Sequence, residues 1–214
     1  MRHLLPALTA FSLLLLLPLA FSVQAAPARM ALVIGNSEYE YAPLRNAVND
    51  AALMTRTLKG VGFEVMNYEN LDRRELKRAF LRFEDRVKNA GNDTVSLVYY
   101  AGHGAQVNGE NYLIPIGSLI EDERDVDIEG IRASSLLRTL GEANAALNIV
   151  ILDACRNNPF KSSSRSANRG LAKMDAPTGT LLAYSTAPGQ VAEDGAGGNS
   201  AYTKALSLAM RRPG

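Results

Sequence analysis

The chain has 214 residues, with 23 Lys and Arg against 22 Asp and Glu and a formal net charge of +1. So even a balance gives no electrostatic case for a nucleic-acid partner. One cysteine, Cys155, excludes an internal disulfide, and a lone thiol in an exported protein calls for a chemical explanation.

Arg2 and His3 make a basic start, followed by an uncharged, leucine-rich stretch from Leu4 to Val23. Val23 and Ala25 are the small residues at the −3 and −1 positions of a cleavage site. Residues 1–25 therefore read as a signal peptide and the protein as exported, periplasmic or secreted. The alternative is an uncleaved anchor, the one route to a membrane, since the apolar run approaches spanning length. Pro6, Pro18 and the small-residue site favour cleavage, and no cysteine follows the run to carry a lipid.

Residues 26–214 suit one domain with a sizeable core. Residues 30–34 form a continuous apolar run ending at Gly35, the pattern of a buried strand. Ala47, Ala51, Met54 and Leu58 recur at helical spacing across residues 46–59, and Gly60 and Gly62 stop that helix. A second strand is expected over 63–68. Asp72 and Glu75 then resemble a capping box opening a helix with the stripe Leu76, Ala79, Phe80, Phe83 and Val87. A third strand, 94–100, ends in Ala101-Gly102-His103-Gly104. A short extended piece at 112–116 precedes an acidic loop, 121–129. A helix over 134–140, strands over 148–152 and 180–186, and a helix over 201–211 complete the chain. This alternation predicts an α/β fold with a mainly parallel sheet. Residues 156–179 stand apart as a long polar stretch, the kind of loop that is usually functional or disordered.

In open α/β sheets, sites form beyond the carboxyl ends of the strands. The only His and the only Cys of residues 26–214 both fall there, His103 after the third strand and Cys155 after the fourth. A thiol needs a base or a lowered pKa to be thiolate near neutrality. An imidazole supplies this and later protonates a leaving amine. The competing reading has Cys155 as apolar filler and His103 as a turn residue, but the glycines flanking His103 leave it uncovered.

Tyr99-Tyr100-Ala101-Gly102-His103-Gly104 and Leu152-Asp153-Ala154-Cys155-Arg156 resemble the two catalytic segments of the caspase-like cysteine peptidases. The 52-residue separation of His103 and Cys155 agrees with the roughly 50 residues of caspases. Asp153 stands where caspases have Gln and Asn157 where they have Gly. Asp two residues before the Cys is the metacaspase pattern. Residues 31–36 and 44–50 resemble the opening of bacterial metacaspase-like domains, the orthocaspases. The resemblance implies a caspase-like fold with helices on both faces of the sheet. It also implies a Cys155–His103 dyad, and an oxyanion hole from the Gly104 and Cys155 N–H groups. Asp50 and Asp153 would line a pocket for Arg or Lys at the cleaved bond's P1 position. Read without the family, Asp50 is an acidic residue favoured near a helix N-terminus and Asp153 a strand-end carboxylate. Arg45 lies where caspases keep an Asp-binding arginine, and is read as a surface residue. Caspase-like domains usually carry a further strand and helix beyond residues like 211–214, so the sequence reads as a fragment.

Other chemistries fit worse. There is no P-loop and no G-x-S-x-G elbow. Lys161 stands where a cysteine phosphatase needs Arg, and one His with one Cys cannot fill a zinc site without several carboxylates. Asp125, Asp127, Glu129 and Gly130 have calcium-loop spacing, but the twelfth position is Leu136 rather than Glu. The acidic loop reads as a solvated face and no cofactor is expected, calcium activation resting on family resemblance alone. The expectation is a cysteine endopeptidase acting on polypeptides after Arg or Lys. The alternatives are a catalytically silent binding module and a small-molecule amidase on the same dyad. Lys161, Arg165, Arg169 and Lys173 make residues 156–179 an expected self-processing segment.

Overall fold

The computed structural model describes residues 26–155, 171–185 and 197–212. The expected signal peptide and most of the expected processing segment, including Lys161, Arg165 and Arg169, lie outside the described residues. The elements are β1 (Arg29–Gly35), α1 (Ala47–Gly60), β2 (Glu64–Glu69), α2 (Arg73–Ala90), β3 (Val95–Val107) and β4 (Glu110–Leu113). They continue with α3 (Glu123–Glu129), β5 (Ile131–Arg132), α4 (Ala133–Glu142), β6 (Leu147–Cys155), β7 (Thr180–Tyr184) and α5 (Ala201–Met210).

Five strands form a parallel sheet in the order β2-β1-β3-β6-β7. The four apolar residues of β1 from Ala31 to Ile34 are all fully buried, because helices cover both faces of the sheet. Alternation along the strand sorts them. Ala31 and Val33 pack with Ala47, Ala51, Met54 and Leu58 of α1 and with Tyr202 and Leu206 of α5. Leu32 and Ile34 pack with the stripes of α2 and α4, which include Phe80, Phe83, Leu136 and Leu140. Gly35 lets α1 start against β1, since a Cβ there would lie 2.5 Å from the Ala47 carbonyl oxygen. The predicted capping box of α2 is present: Asp72 Oδ1 accepts the Glu75 N–H at 2.8 Å and Glu75 Oε2 accepts the Asp72 N–H at 3.1 Å.

Two expectations are corrected. The third strand does not end at Tyr100 but runs on to Val107, leaving β1 and β6 to pair antiparallel with β4, which in turn pairs with β5. His103 is thus inside a strand rather than past its end, and Cys155 is the last residue of β6. The acidic stretch is not a loop. Asp122 caps α3, accepting the Arg124 N–H at 2.8 Å, and Asp125 Oδ2 accepts the Glu121 and Asp122 N–H groups at 2.9 and 3.1 Å. Its carboxylates satisfy the otherwise orphaned amides of a helix start. Asp127 pairs with Arg132 at 2.6 Å and accepts the Tyr112 hydroxyl.

Candidate active site

The backbone pairing of β3 with β6 sets the two rare residues opposite each other. Parallel pairing runs in register from Val95 opposite Leu147 to His103 opposite Cys155. The 52-residue separation in sequence thus becomes a neighbouring-strand pair, the last of the β3–β6 register.

Tertiary contacts fix His103 from three sides. Its ring is buried, with the Tyr39 ring 4.3 Å away centroid to centroid at a 54° tilt. Its Nε2 lies 2.7 Å from the Ala42 carbonyl oxygen. A carbonyl can only accept, so this contact puts the proton of the neutral imidazole on Nε2 and its basic lone pair on Nδ1. Ala42 presents that carbonyl from a left-handed backbone conformation, φ 55°, a strain of the kind that collects at functional sites. The His103 backbone N–H donates to the Tyr39 hydroxyl at 2.9 Å, which donates to Ile114 O at 2.9 Å. The Tyr100 hydroxyl also donates to Ile114 O at 2.9 Å and reaches His103 O at 3.1 Å. Burial pushes the Tyr100 phenol well above its ordinary pKa, keeping it a neutral donor. Gly102 is required by these hydroxyls, because a Cβ there would sit 2.6 Å from Tyr100 Oη and 2.7 Å from Tyr39 Oη.

Gly104 follows His103 and is the first residue of β3 to pair with β4, opposite Leu113. A Cβ there would come 3.0 Å from Ala154 Cβ and 3.2 Å from Leu171 Cδ2.

The two predicted pocket carboxylates converge. Asp50, in the first turn of α1, and Asp153, two residues before Cys155, are both buried and are bridged by Ser200, the N-cap of α5. Asp50 Oδ1 accepts the Ser200 N–H at 3.0 Å and the Asn199 Nδ2 at 2.8 Å. Asp153 Oδ2 accepts the hydroxyls of Ser200, Thr203 and Tyr99 at 2.8, 2.7 and 3.2 Å. Among the described residues all donors to Asp153 reach that one oxygen, and neither carboxylate forms a salt bridge. Arg45 is exposed. The sequence singled out neither Ser200 nor Thr203, Tyr39 or Ala42. They touch the site only through tertiary contacts, and a serine capping a helix carries no mark of the carboxylates it will meet.

Burial raises Asp50 from its ordinary 3.8 to about 6; the Asn199 and Ser200 hydrogen bonds oppose the shift and the charge of Asp153 adds to it. A raised carboxyl holds its proton more tightly in the folded state than in the unfolded one. Its stabilising contribution is therefore complete below the unfolded value and is lost as pH rises through about 6. Asp50→Asn keeps an oxygen for both donors and removes the charge. It is expected to raise stability to urea at pH 7 by about 1–3 kcal/mol and to gain almost nothing at pH 4. Equal or lower stability of the variant at pH 7 would contradict the assignment of a desolvated charge.

Residues 28–214 match the family model of the caspase domain. The chain belongs to the caspase-domain family. The human mucosa-associated lymphoid tissue lymphoma translocation protein 1 is 28% identical over 134 residues, covering 60% of this chain and 15% of that protein. Bovine caspase-4 is 27% identical over 173 residues, covering 78% of this chain and 41% of that protein. The chain thus spans less than half the length of either relative. A solved structure of a Geobacter sulfurreducens protein superposes with a TM-score of 0.48 at 20% identity, over 60% of this chain and 51% of that one. The caspase domain is a cysteine peptidase fold whose members act on polypeptides, and the mainly parallel sheet with helices on both faces is this chain's version of it.

Proposed function

We propose that this caspase domain is a cysteine endopeptidase with Cys155 as nucleophile, His103 as its base, and Arg or Lys as the preferred P1 residue. The observation that carries the reading is the in-register pairing of His103 with Cys155, the last pair of the β3–β6 register. His103 Nδ1 takes the thiol proton while Nε2–H stays on the Ala42 carbonyl, which holds the ring in the useful tautomer. The thiolate attacks the substrate carbonyl. The Gly104 and Cys155 N–H groups receive the developing oxyanion, the imidazolium protonates the leaving amine, and water hydrolyses the acyl-enzyme.

Specificity rests on Asp50 and Asp153. Their partners are neutral hydroxyl, amide and backbone donors, so their charge is left for a cation to compensate. A guanidinium answers that need with paired donors, an ammonium as a point charge. An acidic P1 residue would be repelled. The test is a set of reporter peptides identical except for Arg, Lys or Asp at P1, with Cys155→Ala as control. The expected order is Arg above Lys, with negligible cleavage after Asp.

The same proposal places the protein outside the cytoplasm, on the layout of residues 1–25. N-terminal sequencing of protein from an exporting host is expected to begin at or near Ala26; a chain still starting at Met1 in the membrane fraction would favour an anchor.

A further inference from the structure

After Cys155 the described residues resume at Leu171. Leu171 is 2% exposed and packs in the α2/α4 face of the core with Ala154 and Leu113. It stands directly behind the site, since the space beside Gly104 is filled by Leu171 Cδ2 on one side and Ala154 Cβ on the other. One aliphatic side chain thus backs the residue after His103, close to the residue before Cys155. The next residue is held by a second device. Asn111, fully buried on β4, donates from Nδ2 to the Ala172 carbonyl at 2.8 Å and accepts the Ala172 N–H on Oδ1 at 2.7 Å. A side-chain amide here does what a neighbouring strand would do, satisfying both backbone groups of one residue. Asn111 sits opposite Gln106 in the β3–β4 ladder, two positions from the Gly104–Leu113 pair. The clamp and the packing therefore act on the same short piece of β-hairpin.

We propose that Leu171 and Asn111 are positioning residues for the Gly104 amide, pressing the β3–β4 hairpin into the geometry in which that N–H meets the substrate oxyanion. The inference rests on the oxyanion role given to Gly104 above. So small an anchor matters for a chemical reason. An oxyanion donor works through preorganisation, and a displacement of about 1 Å costs on the order of a hundredfold in rate. A glycine has no side chain of its own with which to hold its backbone, so its neighbours must do so. The anchor also ranks the candidate cut sites. Cutting after Lys161, Arg165 or Arg169 leaves Leu171 and Ala172 on the piece that carries β7 and α5. Cutting after the exposed Lys173 parts them from it. The anchor can hold the downstream piece only in the first three cases.

The test compares wild-type protein with Leu171→Ala, Leu171→Val and Leu171→Ile on an Arg-P1 substrate. It adds two probes of the same thiol. Iodoacetamide alkylation of Cys155 needs the thiolate but no oxyanion hole. An Arg-P1 peptide aldehyde needs both, since its carbonyl carbon takes the sulfur and its oxygen receives the displaced electron pair. Leu171→Ala is expected to lower kcat about tenfold to a hundredfold with KM changed less than about twofold. Aldehyde affinity should weaken by a similar factor, while the alkylation rate and its pH profile stay at wild-type values. Leu171→Val should fall between, Leu171→Ile should recover most of the loss, and Asn111→Asp should repeat the pattern. If Leu171→Ala is too unstable to assay, the graded Leu171→Val result decides. A kcat within twofold of wild type across the series would overturn the proposal, as would alkylation slowed as much as turnover, which marks general loosening of the dyad. Failure of the underlying reading looks different and shows in the wild-type protein: an Arg-P1 aldehyde bound no more tightly than the matching Arg-P1 alcohol would mean that no oxyanion is being stabilised, whatever Leu171 does.

Discussion

Cys155→Ala is expected to abolish peptide hydrolysis, and His103→Ala to lower it almost as far. The proposed nucleophile has no substitute, because no other cysteine exists in the chain. A thiol with no base beside it, at the ordinary cysteine value near 8.5, is largely protonated at neutral pH, and without His103 the leaving amine loses its proposed proton donor. Each loss should exceed about a thousandfold in kcat, and the double variant should be no worse than the single ones, because residues that act as a unit are strongly non-additive. His103→Ala also vacates the face against Tyr39 and the contact with the Ala42 carbonyl, so circular dichroism and a urea melt accompany the kinetics. An alkaline rise in iodoacetamide reactivity of the His103→Ala protein, absent in wild type, would show the thiol titrating alone. Wild-type turnover by Cys155→Ala would end the mechanism.

The second large effect belongs to Asp153. Its Oδ2 is held by Ser200, Thr203 and Tyr99, and asparagine can keep those three donors by turning its carbonyl oxygen to them. The amide nitrogen then stands where Oδ1 stood, presenting donors to a guanidinium that offers only donors. Asp153→Asn is therefore expected to cost about 2–5 kcal/mol in kcat/KM for an Arg-P1 reporter, which is about thirtyfold to several thousandfold, with the fold kept. Cleavage after uncharged residues should fall much less. An Asp-P1 reporter cut faster than the Arg-P1 reporter would reject the pocket roles of Asp50 and Asp153 and leave the dyad untouched.

The parts of the fold that could be read in advance are those written in local pattern. The buried run of β1, the stripe of α2 and its Asp72–Glu75 box each depend on a few consecutive residues, and each appears as expected. The pairing of His103 with Cys155 was legible because both residues are rare and both follow apolar runs. What failed has a physical cause. Gly102 and Gly104 read as the end of a strand, yet they are glycines because Tyr39, Tyr100 and Leu171 occupy the space a Cβ would need. Those partners come from distant segments, and nothing local announces them. The acidic stretch looked like a solvated loop because capping carboxylates and loop carboxylates have the same composition; only the hydrogen bonds of Asp122 and Asp125 tell them apart. Asp50 and Asp153 were paired by resemblance, but Ser200, which joins them physically, lies 150 residues from Asp50.

The central claim is a covalent one, so the most direct measurement looks for the covalent species. Wild-type protein is mixed with an Arg-P1 peptide ester, quenched in acid within the first turnovers, and weighed intact. The account predicts a fraction of chains heavier by the acyl group, with the added mass mapping to Cys155, and no such species in Cys155→Ala. Product released at the wild-type rate with no acylated chain at any quench time, or an acyl group on another residue, would contradict it.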